Sequence, residues 1–421
     1  MNSKGYILLL VLIAVLTFSC RKESKSSYEK SQLSSDTLRK TFFYSILLTS
    51  DFNKKAADSV VYNLKNKLED TLIIKKQSDN KYAVFIGNFN DNYSAGKHAY
   101  ELFEDSLISD YKIVKNDSVI FDLYSNIPFV ANFENRPSVY NYSLLSNKYY
   151  LVWSKWGRKV INLNMTKNFE LCFISTAMGM GWQGGFPYIL DARIFIYRRL
   201  TGDIKEIDFL GQGLQLYTYW ETPDTFKVNF TVLDSIHTNI LIQKIIAFND
   251  SGKKLYQIER KYNLLKDGFP YPPQIVPNLI SPNSRYNLNY EQTNSKNTFY
   301  LYDVQLNLRY EIIKSKYNLF NSDWTENGNY LFIMLQDKRS RGNNNGIKRA
   351  LEFIIYNVVE KKIVRYFKGY KYKNYLINGN LVLFDQRNEH ESKIVVYNFV
   401  KDHLINEIKL KSGVGLNNIL F

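Results

Sequence analysis

The stretch FIIYNVVEKKIVRYF, Phe353 to Phe367, decides the fold. It holds three apolar residues, an aromatic, a polar turn and a second apolar run, which reads as a β-hairpin. The chain writes this element again as IFIYRRLTGDIKEI from Ile194, IIAFNDSGKKLYQI from Ile245, FYLYDVQLNLRYEI from Phe299 and IVVYNFVKDHLINEI from Ile394. A poorer copy, YLVWSKWGRKVINL, starts at Tyr150. The key aromatics are Trp153, Tyr197, Phe248, Tyr302, Tyr356 and Tyr397. Their spacing of roughly 40–55 residues is that of propeller blades, and antiparallel hairpins suit a propeller better than a solenoid. After Asp117 no long amphipathic helix interrupts them.

Composition agrees. The 421 residues include 33 Tyr and 27 Phe, types that fit the pleated surface of a strand. The net charge is +15. Its lysines and arginines are scattered and accompany no nucleic-acid motif, so the reading is a solvated basic surface with no nucleic-acid partner.

A second element is SDWTENGNYLFIM, Ser322 to Met334. It resembles the W-S-x-D-G hairpin of TolB-like and prolyl-oligopeptidase-like propellers, with Trp324 and Thr325 at the Trp-Ser positions. Gly328 suits a turn that needs positive φ. Eroded copies are read at Leu279 to Glu291 and at Ser143 to Trp153.

Ahead of these repeats, residues 40–117 are written twice as strand, helix, strand. Phe52 aligns with Phe89. Ala57, Val60, Val61 and Leu64 recur at helical spacing, as do Ala95, Ala99, Leu102 and Phe103. Gly87 lacks the two further glycines and the acidic residue of a dinucleotide site, so a Rossmann reading fails. VFIGNF, Val84 to Phe89, and more weakly LLTSDF, Leu47 to Phe52, resemble the two signatures of the SPOR domain, a peptidoglycan-binding family. The resemblance implies a four-stranded antiparallel sheet with two helices on one face and glycan on the other. Period-2 alternation then turns Leu47, Thr49, Val84 and Ile86 toward the helices, and Tyr44, Ile46, Leu48, Ala83 and Phe85 outward. Tyr44, Leu48 and Phe85 are the candidate glycan contacts. Leu48 and Phe85 stand where the family carries glutamine and arginine.

The first 20 residues, MNSKGYILLLVLIAVLTFSC, have a lysine, an apolar run from Tyr6 to Phe18, and Ser19-Cys20. The run has signal-peptide length, short of the roughly 20 residues of a membrane span. Cys20 resembles the lipobox cysteine of bacterial lipoproteins, which is diacylated after cleavage. Two acyl chains anchor durably, so membrane attachment is expected by lipid anchor only. Polar residues 21–39 read as a flexible tether. The Arg-Lys-Glu-Ser-Lys after Cys20 lacks the acidic run that favours surface export in Bacteroides-type lipoproteins, which points to an outer membrane protein facing the periplasm. Cys172, in FELCFIS, reads as a buried structural thiol.

The expected organisation is therefore a signal peptide at 1–20, a tether at 21–39, a small α+β SPOR-like domain at 40–117 (a duplicated βαβ), and an all-β propeller of about six blades at 118–421. For chemistry there is little. His98, His237, His390 and His403 show no H-x-x-x-H pair, and no G-x-S-x-G elbow is present. No metal, cofactor or catalytic residue is expected. The Gly-rich STAMGMGWQGGFPYILD, Ser175 to Asp191, interrupts a blade and reads as a loop with Trp182, Phe186 and Tyr188 as candidate partner contacts. Gln336 to Arg349 reads as a basic loop within a hairpin. The leading functional reading is a non-enzymatic envelope lipoprotein, with peptidoglycan and a protein partner as ligands. Two alternatives stand beside it: a scaffold whose small domain no longer holds glycan, and a hydrolase with its site in the propeller mouth.

Overall fold

A computed structural model describes residues 43–410 and 419–420, apart from 79, 134–135, 184–185, 223, 238, 269, 271–276, 294–295, 338–349 and 389–390. Cys20, the signal segment and the tether lie outside the described residues, as do His390 and most of the basic loop after Gln336.

The first unit runs β1 (Tyr44–Phe52), α1 (Lys54–Lys65), β2 (Leu72–Ser78), β3 (Lys81–Phe89), α2 (Asn92–Glu104), β4 (Lys112–Lys115) and β5 (Ser118–Ile120). The sheet order is β2-β3-β1-β4-β5, all antiparallel. Asn53 and Asp91 start the helices by accepting from the amides of Ala56 and Ser94, the usual N-cap bond. Both helices pack on one face: Leu64, Ala95 and Ala99 share a core with Ile46 and Ile86. Asn116 and Asp117 hold φ of 50° and 65°, a primed turn that folds β5 back on β4. The sheet thus has five strands, not four, and continues past 117.

One expectation about this sheet is corrected. Tyr44 and Ile46 lie in the core beneath the helices and Leu48 packs against it, while Leu47 joins Ala83, Phe85 and Val114 on the opposite face. The alternation in β3 is as expected, and that in β1 is shifted by one. The register shifts at Leu47/Thr49 and Thr49/Phe52 insert extra residues into β1 between Leu47 and Phe52, and one slipped residue exchanges the faces of a strand.

Five sheets follow among the described residues, and the seven-stranded one, continuous through the long strand β24, is described below as two successive units, sheets five and six. Sheet one holds β6 (Asn126–Phe133), β7 (Arg136–Ser143) and β8 (Lys148–Trp153). Sheet two holds β9 (Lys159–Met165), β10 (Leu171–Ala177), β11 (Gly179–Gln183), β12 (Phe186–Arg198) and β13 (Asp203–Gly213). Sheet three holds β14 (Gln215–Thr222), β15 (Thr225–Leu233), β16 (Ile240–Asn249) and β17 (Lys254–Asn263). Sheet four holds β18 (Tyr286–Gln292), β19 (Asn297–Asp303) and β20 (Leu308–Ser315). Sheet five consists of β21 (Asn318–Trp324), β22 (Tyr330–Gln336), β23 (Ala350–Asn357) and the start of β24 (Lys362–Asn378). The end of β24 opens sheet six, with β25 (Leu381–Arg387), β26 (Ser392–Asn398) and β27 (His403–Leu410). Gly369, at φ 87°, lies inside β24 at the register shift just before Tyr372, which pairs with both Ala350 of β23 and Gln386 of β25. A two-residue β28 (Ile419–Leu420) pairs in parallel with β9.

Neighbouring sheets share apolar cores. Phe173, Phe226 and Phe248 join sheets two and three. Leu301, Trp324 and Tyr356 join four and five. Phe332, Phe353 and Phe384 join five and six. Sheet six then returns to sheet one, with Leu383 and Ile408 in the same core as Phe129 and Tyr142, and Asn406 donating to the Tyr142 hydroxyl at 2.7 Å. Successive antiparallel sheets with the last packed on the first make the all-β part a propeller.

Every sheet carries a repeat hairpin with a left-handed residue, at Asn147, Gly202, Gly252, Asn307, Lys361 and Asp402, and sheets two, five and six carry a second, at Phe169, Gly328 and Gly379. This corrects the first repeat. The equivalent of Tyr197 is Tyr142, whose hydroxyl donates to Asn147 as Tyr302 does to Asn307. Trp153 ends β8, and the segment after it crosses between sheets.

Candidate functional site

The two ends of the propeller differ. One end carries the short turns. In three of them Thr166, Ser281 and Thr325 each donate a side-chain hydrogen bond to the Asn two residues on, and accept the amide of Leu171, Tyr286 or Tyr330. Trp324 closes the third by donating Nε1–H to the Asn278 carbonyl at 2.9 Å.

The small domain covers this end, through α2. Tyr93 stacks on Phe169 with ring centroids 4.8 Å apart and donates to Asn378 Oδ1 at 2.6 Å. Asn380 and Asn398 donate to Glu101 and Glu104, both at 2.9 Å. Lys401 pairs with Asp105 at 2.6 Å. Gly96 lets residues 122–124 cross the helix, since a Cβ there would meet Asp122 Oδ1 at 2.3 Å. Arg199 is fully buried and donates to the main-chain carbonyls of Phe169 (2.8 Å), Leu123 (3.3 Å) and Asn126. Burial lowers its pKa, the expected sign for a desolvated cation.

The opposite end is uncovered by the small domain. There the Gly-rich stretch, expected as a loop, is a hairpin of β11 and β12 with Gly179 opposite Leu190 and Gly181 opposite Tyr188. The glycines are required by their partners: a Cβ on Gly181 would meet the Tyr188 ring at 2.8 Å. Tyr188 is thereby held half-buried across the hairpin. The backbones of Trp182 and Phe186 lie in the two strands; their side chains fall outside the described residues.

Beside the hairpin, Lys155–Arg158 form a β-turn closed by the Arg158 amide on the Lys155 carbonyl at 3.0 Å, with Gly157 at φ 74°. The turn presents Trp156 at its tip, 83 % exposed. The same turn is tied to the hairpin. Buried Arg158 donates to Thr176 Oγ1 and to the Asp191 carbonyl, both at 2.9 Å, and pairs with the Asp191 carboxylate. Arg193 grips the same carboxylate at 2.6 Å and reaches Glu206 at 3.0 Å. Asp191 holds a left-handed φ of 50° and breaks the β12/β13 register. Hydrogen bonds from Arg193 first, and then Arg158, hold its carboxyl below the ordinary range. Trp156, Met178, Met180 and Leu190 stand exposed around this clamp. The sequence reading missed Trp156, Arg158, Asp191 and Arg193 as parts of one site. The WGRK turn was its only local signal.

The other candidates are dispersed. Phe85 is buried opposite the helices with Lys75 Nζ 4.9 Å from its ring centroid, whereas Tyr44 and Leu48 lie on the helix side. His98 contacts Asp70 at 2.8 Å, and His403 lies 3.8 Å from Glu104 at the domain junction. Cys172 is buried in β10, and burial pushes its thiol up to about 12. Among the described residues no His, Cys, Asp or Glu group is arranged to hold a metal, and no helix is long and apolar enough to cross a membrane.

No protein-family model and no curated protein matches the chain. Among solved structures it is similar to TolB from Acinetobacter baumannii, at 11 % identity and a TM-score of 0.36 over 82 % of each chain. It is also similar to a chain of a nidogen/laminin complex, at 8 % identity and 0.35, over 70 % of this chain and 99 % of that one. A third is oligogalacturonate lyase from Vibrio parahaemolyticus, at 10 % identity and 0.28, over 62 % and 71 %.

Proposed function

We propose that this chain is a non-enzymatic lipoprotein of the cell envelope whose propeller holds a protein partner at the hairpin end. One observation carries the reading: exposed Met180 and Leu190 lie on a hairpin braced at its base by Arg158, Asp191 and Arg193, at the end the small domain leaves free. Apolar side chains on a stiffened support are what a binding surface requires. Co-purification from envelope extracts tests it. The double substitution Met180→Asp and Leu190→Asp is expected to lose a partner that the wild type retains, and equal recovery with both proteins would count against the reading.

The strand order and shared helix face of the small domain support a second ligand, peptidoglycan, as the SPOR resemblance implies. The face opposite the helices carries Ile73, Lys75 and Lys112, by their pairing with Phe85, Ala83 and Leu47. Glycan contact would run over these residues rather than over the buried Phe85 ring. Co-sedimentation with amidase-treated sacculi tests this part, with Lys75→Ala and Lys112→Ala expected to weaken it. Retention no greater than that of a basic control protein would sink it.

A further inference from the structure

The hairpin end carries a second pattern that a protein partner does not require. Its exposed apolar side chains stand on a turn, a hairpin and a strand connection. Trp156 crowns a β-turn, Met178 and Met180 stand on one face of the hairpin and Leu190 on the other, and Leu233 and Ile236 stand at the β15–β16 connection of the next sheet. Ile236 is 81 % exposed. The sheets place these segments together: β9 starts and β10 ends beside the Trp156 turn, while Thr166 and Phe169 lie at the far end of both strands under the small domain.

Charge is arranged around Trp156 in the same sense. Arg158 and Arg193 are neutralised by Asp191 and Glu206. Lys155 and Lys159, on either side of the Trp156-Gly157-Arg158 tip, are exposed and have no ion-pair partner among the described residues. Lys155 leans over the Phe195 ring at 5.9 Å. The whole chain carries +15. A tryptophan at a protruding tip with flanking lysines matches the amphipathic layer of a bilayer, where indole sits at headgroup depth and lysine meets anionic lipid.

We infer that the hairpin end of the propeller rests on an anionic lipid surface, with Trp156 in the headgroup layer and Lys155 and Lys159 against lipid phosphates. This stands on its own observations; a protein partner of the hairpin would then be met at the bilayer.

The test uses the chain from position 20 with Cys20→Ser, so that no acyl chain is attached. It is mixed with phosphatidylcholine vesicles with and without phosphatidylglycerol and floated on a density gradient. Flotation is expected only with phosphatidylglycerol, with a blue shift of tryptophan emission that Trp156→Phe removes. Trp156→Ala is expected to weaken flotation roughly tenfold, as loss of a buried apolar group at the interface would. The double variant Lys155→Glu and Lys159→Glu, whose side chains are exposed and leave the fold intact, is expected to abolish it. Absence of flotation overturns the inference. So does flotation unchanged in both variants, which would place the contact elsewhere. Cross-linking of a protein at position 156, with vesicles left unbound, overturns it in favour of a protein occupant.

Discussion

Arg158 and Asp191, 33 positions apart in sequence, meet through both the carbonyl and the carboxylate of Asp191, and so fasten the Trp156 turn to the base of the β11–β12 hairpin. The Arg158 side chain is 4 % exposed and that of Asp191 26 %. Removing the cation strands a carboxylate that Arg193 alone must hold. Arg158→Ala is expected to destabilise the chain by about 3 kcal/mol, the lower end for breaking a buried pair. Urea unfolding measures it. The hairpin of β11 and β12 should also be cleaved faster than in wild type under limited proteolysis.

The same clamp gives a pH dependence. Because the Asp191 carboxyl titrates below its ordinary range in the folded state, its contribution is complete above the unfolded carboxylate pKa. It is lost as pH falls through the lower, folded value. Asp191→Asn is therefore expected to be less stable than wild type at neutral pH, with the difference shrinking in acid. A difference that grows on acidification would contradict the assignment. Thermal unfolding across the acid range measures this.

Phe169 holds a φ of 61° where the equivalent turn of sheet five has Gly328 at 71°. A bulky residue in the left-handed region costs about 1–2 kcal/mol relative to glycine. Its compensation is the stack on Tyr93 and burial at the domain junction. Phe169→Ala keeps the backbone cost and loses the contact, with an expected loss of about 3–4 kcal/mol. Phe169→Gly loses the same contact but relieves the backbone, so it is expected to be about 1 kcal/mol less damaging than Phe169→Ala. Equilibrium unfolding of the two variants side by side checks the order.

Arg199 stands where other sheets place apolar Val358 and Phe399 in the same hairpin. Its hydrogen bonds go to the carbonyls of Phe169, Leu123 and Asn126, so it ties the interdomain connection to sheet two. Arg199→Met fills the volume but leaves those carbonyls without a donor, at an expected cost of about 3 kcal/mol. Hydrogen exchange should then rise in residues 121–126 more than in sheets three to five.

Cys172, at 0 % exposure and with its thiol pushed up to about 12, is expected to be inert to a thiol reagent at neutral pH. It should react fully once the chain is unfolded in guanidinium. Rapid reaction in buffer would contradict its burial.

The repeats were legible because each hairpin is local: an aromatic, then Asn249, Asp303, Asn357 or Asn398, then a left-handed residue. The Asx side chain accepts turn amides in all four. The first copy was read one hairpin late because YNYSLLSNKYYLVW offers two aromatic frames, and only strand pairing chooses Tyr142 over Trp153. The faces of β1 differ from the expected ones because the bulges between Leu47 and Phe52 carry no sequence mark in YSILLTSDF. The Arg158–Asp191 clamp was not legible at all, since nothing local announces a partner across three strands.

The most direct measurement for the central reading, a partner held at the hairpin end, is site-specific photo-cross-linking in intact cells. A photoreactive residue is placed at Met180 or, as a control of similar exposure at the other end of the propeller, at Leu306. The account predicts one discrete protein adduct from position 180 and none from 306. Adducts absent at 180, or equal at both positions, would contradict it.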